Sequence, residues 1–123
     1  SEIDPYTGDN RTFPNQKPEI SAPGVYIFST LSNINDIPYA YSTGTSDSTV
    51  LVTGALALIL QIHGDSIRGE DNFIDRTELN LVKVALANSA TNNDVNGISH
   101  DSKSGYGLLN ANEWANQVDI EFN

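Results

Sequence analysis

The chain contains neither cysteine nor methionine. No disulfide framework and no thiolate metal site can exist, and the redox compartment stays undetermined. Basic residues are scarce: six Lys and Arg stand against 16 Asp and Glu, a net charge of −10, with the acids spread from Glu2 to Glu121. Such a surface repels phosphate backbones and anionic membranes, so no nucleic-acid partner is expected. The one long apolar run, Val50 to Ile62, is too short to span a bilayer and is broken by Thr53 and Gly54. Burial in protein is therefore expected, with no membrane-spanning segment. The first residue is Ser1, and SEIDPYTGDN has neither a basic nor an apolar leader region, so the chain is read as starting at a processing or cloning boundary.

What is present suits one small domain or a piece of one: 123 residues, 38% of them hydrophobic, enough for a modest packed core. Residues 1–16, rich in Asp, Asn, Gly and Pro, read as a surface loop or linker. Two short β-prone pieces follow, Glu19–Ala22 and Val25–Thr30, separated by the turn dipeptide Pro23-Gly24, and Tyr39–Thr43 can form a third. From Ser46 to about His63 the sequence is helical in length and apolar around nearly the whole circumference, which predicts a helix buried on all sides. A charged loop leads to a second helix, with Asp75 three residues ahead of Glu78 as a capping box and an end near Asn88. Asn110-x-x-Glu113 opens a last short helix whose Trp114 and Val118 read as core. Strands followed by a buried helix suggest the end of an α/β layered fold.

Ser46 stands where the buried helix begins, beside backbone N–H groups that lack intrahelical acceptors and carry the positive end of the dipole. One reading is an N-cap whose hydroxyl accepts a helix N–H. The other is a nucleophile whose attack creates an oxyanion next to free donors. Gly44 would then let a substrate backbone approach closely.

The surrounding text bears on that choice. Lys17-Pro18-Glu19-Ile20-Ser21-Ala22-Pro23-Gly24, then Gly44-Thr45-Ser46, then Gly105-Tyr106-Gly107-Leu108-Leu109-Asn110-Ala111 closely resemble, in order, three segments in the C-terminal part of subtilisin-like serine proteases. The resemblance implies an α/β, three-layer fold with a parallel sheet and flanking helices. The whole chain would be the C-terminal portion of one catalytic domain, family-like over 17–118. It makes Ser46 the implied catalytic serine, with Gly44 and Thr45 shaping the oxyanion loop, and implies a polypeptide substrate. It also implies a secreted or cell-surface protein. The catalytic Asp and His and the oxyanion asparagine would lie in an upstream part of the same domain, the partner this chain requires. No cofactor is needed for such chemistry.

Departures from the pattern are concentrated after Ser46, where the family usually reads M-A-x-P-H-V and this chain has Asp47-Ser48-Thr49-Val50-Leu51-Val52. A carboxylate about 6 Å from a developing oxyanion opposes it by roughly 3 kcal/mol at an effective dielectric near 20, which makes Asp47 a candidate modulator. His63 lies on the helix of Ser46, about 25 Å away at 1.5 Å per residue, too far to be its base. It reads as a histidine favoured by the helix C-terminus. His100, beside Asp101, reads as part of a solvated loop pair.

Asp65, Glu70, Asp71 and Asp75 share one loop, and Asp65, Asp71 and Asp75 are candidate ligands for the structural calcium that the resemblance allows, against the reading of simple solvated charge. Asp94, Asn96 and Asp101 form a weaker second group. Two rival functions stand beside the peptidase: a subtilase-derived scaffold that has lost its chemistry, and the acid-active carboxyl peptidases that share a G-T-S nucleophile but use a Glu base.

Overall fold

The computed structural model describes residues 2–32, 36–91 and 99–123. Asp94 and Asn96 lie outside them. Two short strands, β1 (Ile27–Thr30) and β2 (Tyr39–Ser42), pair antiparallel with Ile27 opposite Ser42 and Thr30 opposite Tyr39. Three helices follow, α1 (Thr45–Arg68), α2 (Arg76–Ser89) and α3 (Ala111–Phe122).

Each helix start has a local cause. Asp75 accepts from the Glu78 N–H at 2.8 Å while Glu78 accepts from the Asp75 N–H at 3.0 Å, so the expected capping box forms. At α3 the Asn110 side chain accepts from the Glu113 N–H at 3.1 Å. Helix α1 has Gly44 at its N-cap and therefore no side-chain cap.

The core is the meeting of Ala55, Ile59 and Ile67 from α1, Val82, Ala85 and Leu86 from α2, and Trp114 and Val118 from α3. Helix α3 packs against both of the others. Trp114, as expected, is core: it is 2% exposed, and its indole N–H donates to the Val82 carbonyl at 3.1 Å. A buried Trp N–H usually finds such a partner, because leaving the donor unpaired costs free energy.

Two expectations need correction. First, α1 runs on to Arg68, because Gly64, which resembles a helix stop, is a buried helical position with Arg68 folded over it. The chain leaves the helix at Gly69, whose φ of 64° is the left-handed region that glycine enters without strain. Second, α1 is buried along one face only. Val50, Leu58 and Ile62 are exposed, since α2 and α3 are too few to cover a helix that is apolar all round. By length and composition this 24-residue helix could cross a membrane, which the shorter apolar run alone could not. The named strands form a two-stranded antiparallel hairpin, as a short connection requires, and with the three helices they make a mixed α/β piece.

Among the described residues, parallel pairing is confined to a small patch away from that hairpin. Tyr106 N–H donates to Glu19 O at 2.8 Å, Ser21 N–H to Gly107 O at 2.9 Å and Leu109 N–H to Ser21 O at 2.7 Å. Leu108 also exchanges both backbone hydrogen bonds with Thr91. The segment 19–22 is thus extended, as its composition suggested, but holds a single bridge at Ser21. Gly105 has to be glycine here: its φ is 70°, and a Cβ would press on the Pro18 and Glu19 carbonyls.

Residues 2–16 lie along α2, with a single antiparallel bridge between Ile3 and Asn10. Asp4 pairs with Arg76 at 3.3 Å, Arg76 stacks over Tyr6, and Asn15 accepts from Lys83 at 2.6 Å. Phe13 meets the edge of Tyr106 with ring centroids 5.4 Å apart.

Glu19 sits between Lys17 at 2.6 Å and Lys83 at 3.2 Å. Burial alone would raise its carboxyl, but the two lysines outweigh it and hold the group below its ordinary value of 4.5. A carboxylate with a lowered folded pKa stabilises fully above the unfolded value, and that contribution is lost as pH falls through the folded pKa. Urea midpoints measured across acid pH are therefore expected to fall below about pH 4.5, and less steeply in Glu19→Gln. An identical slope in that variant would remove Glu19 from the account.

Candidate active site at the start of helix α1

Strand β2 ends at Ser42, and two residues later the chain enters α1 through Gly44. Gly44 is extended, with φ 162°, so no left-handed conformation demands glycine. A Cβ there would make only ordinary contact with Asp47 Oδ2 at 3.6 Å. What glycine leaves is room in front of the helix.

Thr45 and Ser46 are exposed in the first turn. Among the described residues, neither side chain is engaged by a hydrogen bond. The N-cap role for Ser46 does not arise, because Gly44 holds that position. An exposed hydroxyl thus stands in a turn whose first N–H groups have no intrahelical acceptor.

Asp47 faces back toward the strand, where its Oδ2 accepts from the Ser42 hydroxyl at 3.0 Å. Its N–H donates to Gly44 O at 3.1 Å. A carboxylate in the first turn is also favoured by the helix dipole.

Two contributors escaped the sequence reading. Ser48 donates to the Ala22 carbonyl at 2.9 Å and lies 3.1 Å from that of Pro23. Gly24 accepts from the Gly44 N–H at 2.7 Å, and a Cβ on Gly24 would meet Ser48 Oγ and the Gly44 carbonyl. The signal was present as a small hydroxyl residue two places after Ser46 and a Pro-Gly turn, but nothing local pairs them. An open groove of about 710 Å³ runs beside this junction, lined by Ile20, Ala22, Thr45, Ser48, Val52 and Leu86.

Neither histidine approaches Ser46. His63 remains on α1, with Nδ1 4.0 Å from Asp119 on α3, so it sits at a helix crossing rather than at a helix end. His100, next to Asp101, also reaches far along the chain. Its Nε2 lies 2.8 Å from the Pro18 carbonyl, and its ring meets Tyr106 at 5.0 Å. Asp101 instead accepts from the Lys103 and Ser104 N–H groups, which hold its carboxyl below the usual range.

The acidic loop is only partly gathered. Asp71, Asp75 and Glu78 bring carboxylate oxygens within 4.8 Å of one another, while Asp65, fully exposed on α1 beside Arg68, and Glu70 are not part of that group. Asp75 and Glu78 are occupied in the capping box, and Asp71 accepts from Phe73 N–H at 3.1 Å. Calcium takes six to eight oxygens, of which this group of described carboxylates offers a part.

The family model described as "Subtilase family", peptidase S8, matches residues 1–107, which include the turn at 22–24 and the Gly44–Ser46 loop. The chain belongs to the subtilase family. Over 51 residues it is 43% identical to Subtilisin-like protease SBT3.10 of Arabidopsis thaliana, and over 52 residues 42% identical to Subtilisin-like protease SBT3.9 of the same plant. Each match covers 40% of this subtilase chain and 7% of the relative's length.

Proposed function

We propose that this chain carries the nucleophile of a serine endopeptidase. The observation that supports the reading is the exposed, unengaged Ser46 hydroxyl in the first turn of a long apolar helix, in a member of a peptidase family. Ser46 Oγ attacks the scissile carbonyl of a polypeptide, and its proton passes through a base to the departing amine. The acyl-serine is then hydrolysed by water. The Ser46 N–H offers the developing oxyanion a donor at the positive end of the helix, and Thr45 shapes the loop.

The base and its orienting carboxylate belong to a part of the catalytic domain outside these residues, since His63 and His100 are held elsewhere. The chain alone is therefore inactive. The apolar flank of α1 at Val50, Leu58 and Ile62 is where that part packs and where the parallel sheet completes a three-layer fold. Secretion or display at the cell surface goes with this reading, and no step requires an ion.

Labelling of the full-length protein with a serine-directed phosphonate tests the proposal. Labelling that rises through neutral pH supports a histidine base, a maximum in acid supports the Glu-base rival, and no labelling at any pH supports the scaffold.

Asp47 tunes this site through its charge. Asp47→Asn keeps an acceptor for Ser42 and removes the charge, so turnover at pH 7 is expected to rise by roughly tenfold to a hundredfold on the Coulomb scale. Asp47→Ala, which also frees Ser42, should gain less. Equal or lower turnover in the Asn variant would show that the carboxylate does not oppose the oxyanion.

A further inference from the structure

We propose that Ser48 is a positioning residue for the nucleophile. Its hydroxyl tethers the first turn of α1 to the Ala22–Pro23–Gly24 turn and so sets where the Ser46 oxygen and N–H stand. The proposal rests on the serine-peptidase reading above.

The helix start has few other anchors. Gly44 supplies no side-chain cap, and the Thr45 and Ser46 side chains make no hydrogen bond among the described residues. The Asp47 to Ser42 bond reaches only five residues back, into the strand that leads to the helix. Ser48 reaches 26 residues back, to Ala22. Ala22 follows Ser21, whose N–H and carbonyl are both engaged by the Gly107–Leu109 segment, so the tether ends on paired backbone.

The junction is tight on the side that faces Gly24. One hydroxyl proton serves two carbonyls, at 2.9 and 3.1 Å, and Gly44 N–H closes on Gly24 O at 2.7 Å. Gly24 leaves no volume for a Cβ against Ser48 and Gly44. Removing the hydroxyl opens a gap and leaves the Ala22 and Pro23 carbonyls without that donor, and the first turn can then shift. A misplacement of about 1 Å at a reacting atom costs on the order of a hundredfold in rate.

The test uses the full-length protein with Ser48→Ala and Ser48→Thr. For Ser48→Ala, kcat and the maximal rate of phosphonate labelling, counted per folded molecule, are expected to fall by roughly tenfold to a hundredfold, with KM changed by less than about threefold. The Thr variant keeps the hydroxyl and should recover most of the loss. Amide exchange at Gly44, whose N–H is bonded to Gly24, is expected to quicken in Ser48→Ala. An unchanged kcat, equal damage in the Thr variant, or unchanged Gly44 exchange overturns the proposal. The exchange result decides the tether even if the wild-type serine proves unreactive, which would count against the peptidase reading alone. Should Ser48→Ala fail to fold, Gly24→Ala presses on the same junction and must show the same loss in kcat, and normal turnover in it refutes the tether.

Discussion

In the full-length protein, Ser46→Ala is expected to abolish phosphonate labelling and to lower peptide cleavage by roughly 10⁴- to 10⁶-fold, the scale seen when a triad serine is removed from an enzyme of this kind. A loss that large is expected because, in the proposed mechanism, the Ser46 oxygen forms the acyl intermediate. The residual rate would come from substrate binding and the helix donors. By the same chemistry the 123-residue chain is expected to be inert. Donors at a helix N-terminus stabilise an oxyanion but cannot accept the serine proton, so Ser46 alone is an ordinary alcohol at neutral pH. His63 is held about 25 Å along the same helix, and His100 lies against Pro18 and Tyr106. Mass spectrometry after incubation with the probe checks both statements. Labelling of the chain by itself at a rate comparable to the full-length protein would mean that a base exists within these residues, and the proposed mechanism would fall.

The largest effect on stability is expected at Trp114. It is 2% exposed, makes the link between α3 and α2 through the Val82 carbonyl, and shares the core with Val118 and Ile59. Trp114→Ala leaves a cavity where three helices meet and removes the donor to that carbonyl. The expected cost is about 3–5 kcal/mol, a large part of the 5–15 kcal/mol that ordinarily holds a domain together. Trp114→Phe keeps much of the apolar volume and should cost less. Urea unfolding followed by circular dichroism gives both numbers. A loss below about 1 kcal/mol in the Ala variant would show that α3 is not anchored by this side chain.

The starts of α2 and α3 were legible because a cap acts over three residues: Asp75 with Glu78, and Asn110 with Glu113, are neighbours in any helix that forms there. The end of α1 was not. Gly64 resembles a stop, and only packing that buries it, with Arg68 laid over it, explains why the helix continues to Gly69. The reading of α1 as covered on every side failed for a related reason. Apolar periodicity records what a helix needs covered, while burial depends on which other segments are there to cover it. His63 and His100 were assigned from their position along the chain, and both in fact contact residues far away in sequence.

By itself, then, the sequence determined the order of the elements, the capping residues, the absence of any thiol chemistry, and the Gly44-Thr45-Ser46 loop in front of an apolar helix. These follow from composition or from interactions within a few residues. Tertiary structure alone decided that Ser21 pairs with the Gly107–Leu109 segment, that α3 lies against both other helices, and that Ser48 holds the Ala22–Pro23 carbonyls. The physical reason is range. A hydroxyl that bonds a carbonyl 26 residues away leaves no local pattern, since its partner is chosen by how the turn and the helix meet rather than by spacing along the chain.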